Sequence, residues 1–117
     1  SGIDGIKLYE SPSENFASNY WLNCIELSED LHIKGQAESG EPSANVDALR
    51  IALDRVGIES RPLWKPLHLQ PVFASCPSYV NGVSESLFRR GLCLPSGPRV
   101  SIQDAEFIIN QIRKNIG

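Results

Sequence analysis

The sequence predicts an α/β (α+β) fold in which helices cover a small sheet, giving a two-layer sandwich. Two stretches carry apolar residues at helical spacing, and short apolar runs between them are typical of strands. Glycine or proline separates these segments. With 117 residues, 41% of them hydrophobic, the chain has the size of one globular domain with one core.

The first half of the chain begins with residues 1–18, which are rich in glycine, proline and serine and are predicted to be a lead-in loop or linker. One brief strand is expected within it, at residues 6–9. Residues 19–27, NYWLNCIEL, are rich in aromatic and aliphatic side chains and predict a strand. Residues 28–42 are polar, contain two glycines and predict a loop. The organised domain is therefore expected to span residues 19–117.

An amphipathic helix is predicted after that loop. Ser43 is a suitable N-cap, and Gly57 is a suitable end. The apolar positions recur every three or four residues and are Val46, Leu49, Leu53 and Val56. On the opposite face we expect Asp47, Arg50 and Asp54, and the last two have the spacing of an i,i+4 ion pair.

The second half contains an edge segment, a short helix, a strand and a final helix. Prolines in residues 61–73 lack backbone donors, so this segment is predicted to be an extended edge or loop. Residues 83–90 predict a helix capped by Ser84 and ended by Gly91, and residues 92–94 predict a short buried strand. Ser101 and Asp104 resemble the capping box of a last helix. Its expected apolar stripe consists of Ala105, Ile108, Ile109 and Ile112.

The charge and composition exclude several classes of function. A net charge of -3 and a pI of about 5.3 provide no general attraction to nucleic acid. No apolar run reaches the roughly 20 residues of a membrane span, and no export signal is recognisable. The three cysteines are widely spaced and lack the pattern of a metal site, so we expect buried or incidental thiols in a cytoplasmic protein.

Four short motifs, in order, resemble the DegT/StrS-type sugar aminotransferases of the fold-type I pyridoxal-phosphate class. They are NYWL at residues 19–22, GIESRP at residues 57–62, WKPLH at residues 64–68 and GLCLPSG at residues 91–97. The resemblance covers residues 19–116 and implies the C-terminal small domain of such an enzyme. The sequence RPLWKPLHLQPVF is similar to the branch that aminates 4-keto sugars linked to UDP.

What the resemblance implies is an enzyme of surface-glycan biosynthesis that uses pyridoxal phosphate, takes its amino group from glutamate and aminates a UDP-linked keto sugar. Its partners would be the enzyme's own N-terminal large domain and a second subunit. That chemistry needs a lysine that attaches the cofactor and a phosphate-binding segment, and neither is recognisable here. The chain alone is therefore expected to bind no cofactor, to contain no catalytic residue and to be inactive.

The proline-rich segment supplies the candidate substrate-binding residues. Trp64, Lys65 and His68 combine an aromatic plane, a cation and an imidazole, which suit a phosphorylated sugar. In enzymes that the chain resembles, this segment lines the active-site cleft. Arg61 is a further candidate, although an exposed arginine after a helix is common. The Arg89–Arg90 pair is too small to predict an anion site, and cations are favoured at a helix C-terminus in any case.

Two alternatives remain open from the sequence. The same small fold can serve as a stand-alone, non-catalytic binding module, in which case residues 61–73 would contact a protein or sugar. A hydrolase has little support, because two histidines and scattered serines form no nucleophile and base pattern. A reading frame that continues upstream into a lysine-bearing domain would separate the first alternative from an aminotransferase.

Overall fold

A four-stranded antiparallel sheet organises the computed structural model, which describes residues 2–117. The strands are β1 (Ile6–Leu8), β2 (Asn23–Leu27), β3 (Arg61–Pro62) and β4 (Gly91–Leu94), in the order β1-β2-β4-β3. The helices are α1 (Ala44–Asp54), α2 (Val83–Arg90) and α3 (Ile102–Asn115). Two short 3-10 helices lie between β3 and α2, at Leu67–Leu69 and Pro71–Phe73. The predicted fold class is confirmed.

The strands differ in length from the prediction. β1 confirms the brief strand expected near residues 6–9, and β4 confirms the short buried strand. β2 begins at Asn23 and not at residue 19. Residues 19–22 lie outside the ladder, and Tyr20 has φ 50, a left-handed value that interrupts extended backbone. β3 has two residues and lies at the sheet edge, where Pro62 needs no hydrogen-bond partner.

One face of the sheet and two helices form the core. Ile25 and Leu27 of β2 and Leu92 of β4 are buried together with apolar side chains of α1 and α3. The helical contributions are Val46, Ala48, Leu49 and Leu53 from α1, and Ile108 and Ile112 from α3. Ile109 is 41% exposed, so the apolar stripe of α3 is narrower than predicted.

Helix α1 starts as predicted, since the Ser43 side chain accepts the N–H of Val46. The prediction that Asp47 lies on the solvent-facing side of α1 was wrong, because its side chain is fully buried. Arg50 forms an ion pair with Asp47 at 3.0 Å, at i,i+3 spacing, in place of the predicted pair with Asp54.

Asp47 fixes the loop that precedes α1. One carboxylate oxygen accepts the backbone N–H groups of Glu38, Ser39 and Gly40 at 2.7, 2.8 and 3.0 Å. Burial alone would raise the pKa of this carboxyl, but these N–H groups and the Arg50 guanidinium hold the pKa at about 2. The loop therefore depends on a charged Asp47.

The ends of the other helices follow local rules. α2 has Gly82 as its N-cap, with φ 85, and Ser84 is not the cap that the sequence predicted. The chain passes from α2 directly into β4 at Gly91. Ser101 and Asp104 form the predicted capping box of α3. None of the helices in residues 2–117 has the length and apolar character that a membrane span requires.

A charged cluster lies on the other face of the sheet. Glu26 is buried there and forms an ion pair with Arg90 at the end of α2. The Tyr9 hydroxyl donates to Glu26 at 2.6 Å. Burial and this hydrogen bond raise the pKa of Tyr9 to about 12. The cluster ties β1, β2 and α2 together.

Candidate functional site

A surface groove of about 280 Å³ adjoins the proline-rich segment that the sequence singled out. The groove lies between the loop before α1, the first 3-10 helix with the residues before it, and α2. Its lining combines cations, carboxylates and apolar side chains, and consists of Glu41, Pro42, Lys65, Leu69, Glu85, Phe88 and Arg89. Among the described residues, no group of three or more His, Cys, Asp or Glu side chains is placed to hold a metal.

Local hydrogen bonds give the segment its shape. The N–H of Leu69 donates to the carbonyl of Pro66 at 3.0 Å, which closes the first 3-10 helix. The Gln70 side chain donates to the carbonyl of Lys65, also at 3.0 Å. Pro66, just before the first short helix, and Pro71, the first residue of the second, both restrict the backbone. The segment is therefore held in turns, without sheet pairing beyond Pro62.

His68 is directed toward α2 by this turn. Its Nε2 lies 2.7 Å from Oε1 of Glu85, in the first turn of that helix. The side chains are 17% and 33% exposed, so the pair is sheltered but not sealed from solvent. Because a carboxylate only accepts, Nε2 donates, and Nδ1 of a neutral His68 remains an acceptor.

The four predicted site residues are not brought to one place. Lys65 lines the groove, and His68 is linked to it through Glu85. Trp64 is 69% exposed and lies outside the groove lining. Arg61 is also exposed, and its guanidinium donates to Glu59 at 3.0 and 2.7 Å. The structure thus joins Lys65 and His68 and leaves Arg61 and Trp64 on separate surface.

Of the seven groove residues only Lys65 was a predicted site residue, and three of the residues that sequence reasoning missed lie on α2. Glu85, Phe88 and Arg89 are separated by three and four positions, which places them on one side of a helix. That periodicity was the available signal. The Arg89–Arg90 pair does not act as a unit, because Arg90 turns to Glu26 and only Arg89 lines the groove.

Two of the sequence motifs meet at a second surface. The Ser96 hydroxyl donates to the carbonyl of Trp21 at 2.5 Å, which joins the NYWL motif to the turn after β4. An open depression of about 770 Å³ lies between residues 19–23 and 96–98. Tyr20 and Trp21 are 51% and 73% exposed at its edge. This surface presents aromatic side chains without a covering element from residues 2–117.

Comparison with known proteins gives a consistent result. Residues 30–113 match the DegT/DnrJ/EryC1/StrS aminotransferase family. EpsN of Bacillus subtilis (strain 168), whose description is that of a pyridoxal phosphate-dependent aminotransferase, is 35% identical over 103 residues. That alignment covers 85% of this chain and 23% of EpsN.

Solved structures support the same assignment. A DegT DnrJ EryC1 StrS aminotransferase from Brucella abortus is 33% identical with a TM-score of 0.69, over 95% of this chain and 26% of that one. The aminotransferase TlmJ from Streptoalloteichus hindustanus shares the fold, with a TM-score of 0.72 at 21% identity, over 97% of this chain and 26% of TlmJ. The chain spans about a quarter of the length of these relatives. It belongs to the DegT/DnrJ/EryC1/StrS aminotransferase family.

Proposed function

We propose that residues 19–117 are the C-terminal small domain of a pyridoxal-phosphate-dependent aminotransferase. The reaction is transfer of an amino group from glutamate to the C4 ketone of a UDP-linked sugar, in cytoplasmic synthesis of surface glycans. Two observations support this proposal. Residues 30–113 match the family, and the chain covers only about a quarter of the length of its relatives, as one domain of a larger enzyme would. Likeness of the motif RPLWKPLHLQPVF to keto-sugar aminotransferases supports the substrate class.

The lysines of this chain do not fit the residue that attaches the cofactor. Such a lysine is desolvated or placed beside another cation, which lowers its pKa and frees the amine. The lysine side chains of this chain are all exposed to solvent; they are Lys7, Lys34, Lys65 and Lys114. The cofactor lysine and the phosphate-binding segment therefore belong to the large domain of the parent enzyme, and the chain alone is inactive.

The groove supplies substrate binding in this proposal. Lys65 and Arg89 are both cations in its lining and suit the phosphates of a nucleotide sugar. His68, held by Glu85, offers Nδ1 to a sugar hydroxyl. Trp64 gives an exposed aromatic plane against which a sugar or base can pack, and Arg61 is a further cation on the adjoining edge strand.

The remainder of the parent covers the apolar surface that the small domain leaves open. Between β3 and α2 many large apolar side chains are exposed, which is unusual for a protein surface that faces only solvent. The most exposed are Trp64, Leu67, Val72 and Tyr79. We assign this surface to contact with the large domain and a second subunit.

Two experiments test the proposal. The parent enzyme, supplied with glutamate and a UDP-linked 4-keto sugar, should form 2-oxoglutarate and an amino sugar. Separately, the 117-residue chain is mixed with pyridoxal phosphate, reduced with borohydride and mapped by mass spectrometry, and no single lysine should be labelled stoichiometrically. Activity of the parent only on other ketones would overturn the substrate class. Stoichiometric labelling of one lysine, with activity of the chain alone, would show that it is not a fragment.

A further inference from the structure

The sheet contains a pair of facing thiols that the proposed function does not use. Cys24 of β2 and Cys93 of β4 are register partners, and their Sγ atoms lie 3.5 Å apart. Neither is in a disulfide. Cys93 is buried and Cys24 is partly exposed, so Cys24 is the more accessible residue of the pair. The third cysteine, Cys76, is exposed in the segment before α2.

The backbone geometry is suitable for a direct bond between the two sulfurs. The N–H of Tyr9 donates to the carbonyl of Cys24 at 3.0 Å, so the polar groups of Cys24 face β1. In an antiparallel ladder this makes Cys24 and Cys93 a non-hydrogen-bonded pair, in which the Cα atoms and side chains approach most closely. A disulfide needs such a short Cα separation with both Cβ atoms on one face.

The two thiols differ in reactivity. Burial, the hydrogen bond between the sulfurs and the charge of an ionised Cys24 raise the pKa of Cys93 to about 12. The thiolate is the form that attacks a disulfide, and access decides which thiol attacks first. Cys24 is therefore the attacking group, and Cys93 is the resolving group.

We propose that Cys24 and Cys93 form a redox-active dithiol, which a low-molecular-weight disulfide such as oxidised glutathione converts into an intramolecular disulfide. Cys24 loses its proton to solvent and attacks one sulfur of glutathione disulfide, and one glutathione thiolate leaves. Cys93 then loses its proton and attacks the Cys24 sulfur, which releases the second glutathione. The two protein thiols are oxidised, and one glutathione disulfide is reduced to two thiols.

The test compares the native and the unfolded 117-residue chain after incubation with oxidised glutathione. Remaining thiols are alkylated and the chain is digested with trypsin, which separates the cysteines because Lys34 and Arg89 lie between them. The native chain should give a Cys24–Cys93 linked peptide whose mass is two hydrogen atoms below the sum of the two separate peptides, whatever modification Cys76 carries. Cys76 is much nearer to Cys93 in sequence, so in urea loop-closure entropy favours the Cys76–Cys93 link.

Single cysteine variants show whether the link forms because Cys24 and Cys93 are close together in the fold or because any thiol of the chain reacts. Cys76→Ser should leave the linked product unchanged. Cys93→Ser should stop at a mixed disulfide of Cys24 with glutathione, whereas Cys24→Ser should leave Cys93 unmodified because it is buried. If either variant fails to fold, the comparison of the native wild-type chain with the urea-unfolded chain still decides. The proposal is overturned if the native chain forms links through Cys76, forms only mixed disulfides, or gives the same products as in urea.

Discussion

His68 and Glu85 lie seventeen positions apart in the chain, and their side chains meet at 2.7 Å. A turn of proline-restricted backbone brings the imidazole to the first turn of α2. Glu85 also lines the groove that contains Lys65. The carboxylate thus holds His68 beside the groove that Lys65 lines, and it fixes which nitrogen of His68 carries a proton.

The first prediction is that His68 and Glu85 act as a unit in the parent enzyme. His68→Ala should raise KM for the keto sugar more than it lowers kcat, because the proposed role of the imidazole is to bind a remote hydroxyl and not the reacting carbon. Glu85→Ala should do the same by releasing His68. The double variant should be little worse than either single one, with a coupling of about 0.5 to 3 kcal/mol. Glu106→Ala, on the exposed face of α3, is the matched control. Additive effects would show that Glu85 does not position His68.

The second prediction concerns the charge of Lys65. In the parent enzyme, Lys65→Ala should weaken sugar-nucleotide binding by about 1.5 to 3 kcal/mol, the range for a hydrogen bond to a charged group. The loss should appear in KM, measured in steady-state kinetics with saturating glutamate. Lys114→Ala removes an equally exposed cation from the end of α3 and should leave KM unchanged. Equal effects of the two substitutions would remove Lys65 from the site.

Local patterns in the sequence predicted most of the fold. The cap at Ser43, the capping box at Ser101 and the periodicity of α1 and α3 depend on residues within a few positions of each other. Pro62 marked the sheet edge for an equally local reason, its missing N–H. The two caps and the sheet edge were confirmed because neighbouring residues determine them. The apolar stripes were confirmed only in part, since Val56 and Ile109 are exposed.

The features that were missed depend on residues from separate segments. Asp47 occupies a position that looks solvent-facing along α1, and only the folded loop brings three N–H groups to it. The groove joins Lys65 to Arg89 across a long segment, so the residue spacing along α2 marks only the α2 side of the groove. The roles of Trp64 and Arg61 stay predictions.

The third prediction is that Asp47 stabilises the fold as a charged group. Asp47→Asn removes a buried charge that satisfies three N–H groups and Arg50, and should lower the free energy of unfolding by about 2 kcal/mol. Urea titration followed by circular dichroism measures it. Asp54→Asn, on the same helix and exposed, should change stability by less than about 0.5 kcal/mol. Equal losses in both variants would contradict the role of Asp47.

The fourth prediction follows from the pKa of the same group. The folded pKa of Asp47 is about 2, below its ordinary value of 3.8. A carboxyl with a depressed folded pKa contributes stability that is complete above the unfolded value and is lost as the pH falls through the folded one. Wild-type stability should therefore fall between about pH 4 and pH 2 more steeply than that of Asp47→Asn. Parallel pH profiles for the two proteins, measured by thermal unfolding, would rule out this contribution.

The last prediction concerns the junction of α2 and β4. Gly91 has φ -89, which any residue adopts, so its conformation does not require glycine. The lack of space around this position does require glycine, because a Cβ there would lie 2.7 Å from the Leu87 carbonyl oxygen and would also clash with the Leu63 side chain. Gly91→Ala should therefore destabilise the chain by about 1 to 3 kcal/mol through overpacking, despite the lower entropy of its unfolded state.

Gly57→Ala is the control for this prediction. At Gly57 φ is 79, so an alanine backbone would be strained there, but the added Cβ would meet nothing within 4 Å. Adding Leu63→Ala should recover part of the loss in Gly91→Ala and none of that in Gly57→Ala, as measured by urea titration. A Gly91→Ala chain as stable as the wild type would mean that α2 can move away from β4 without cost.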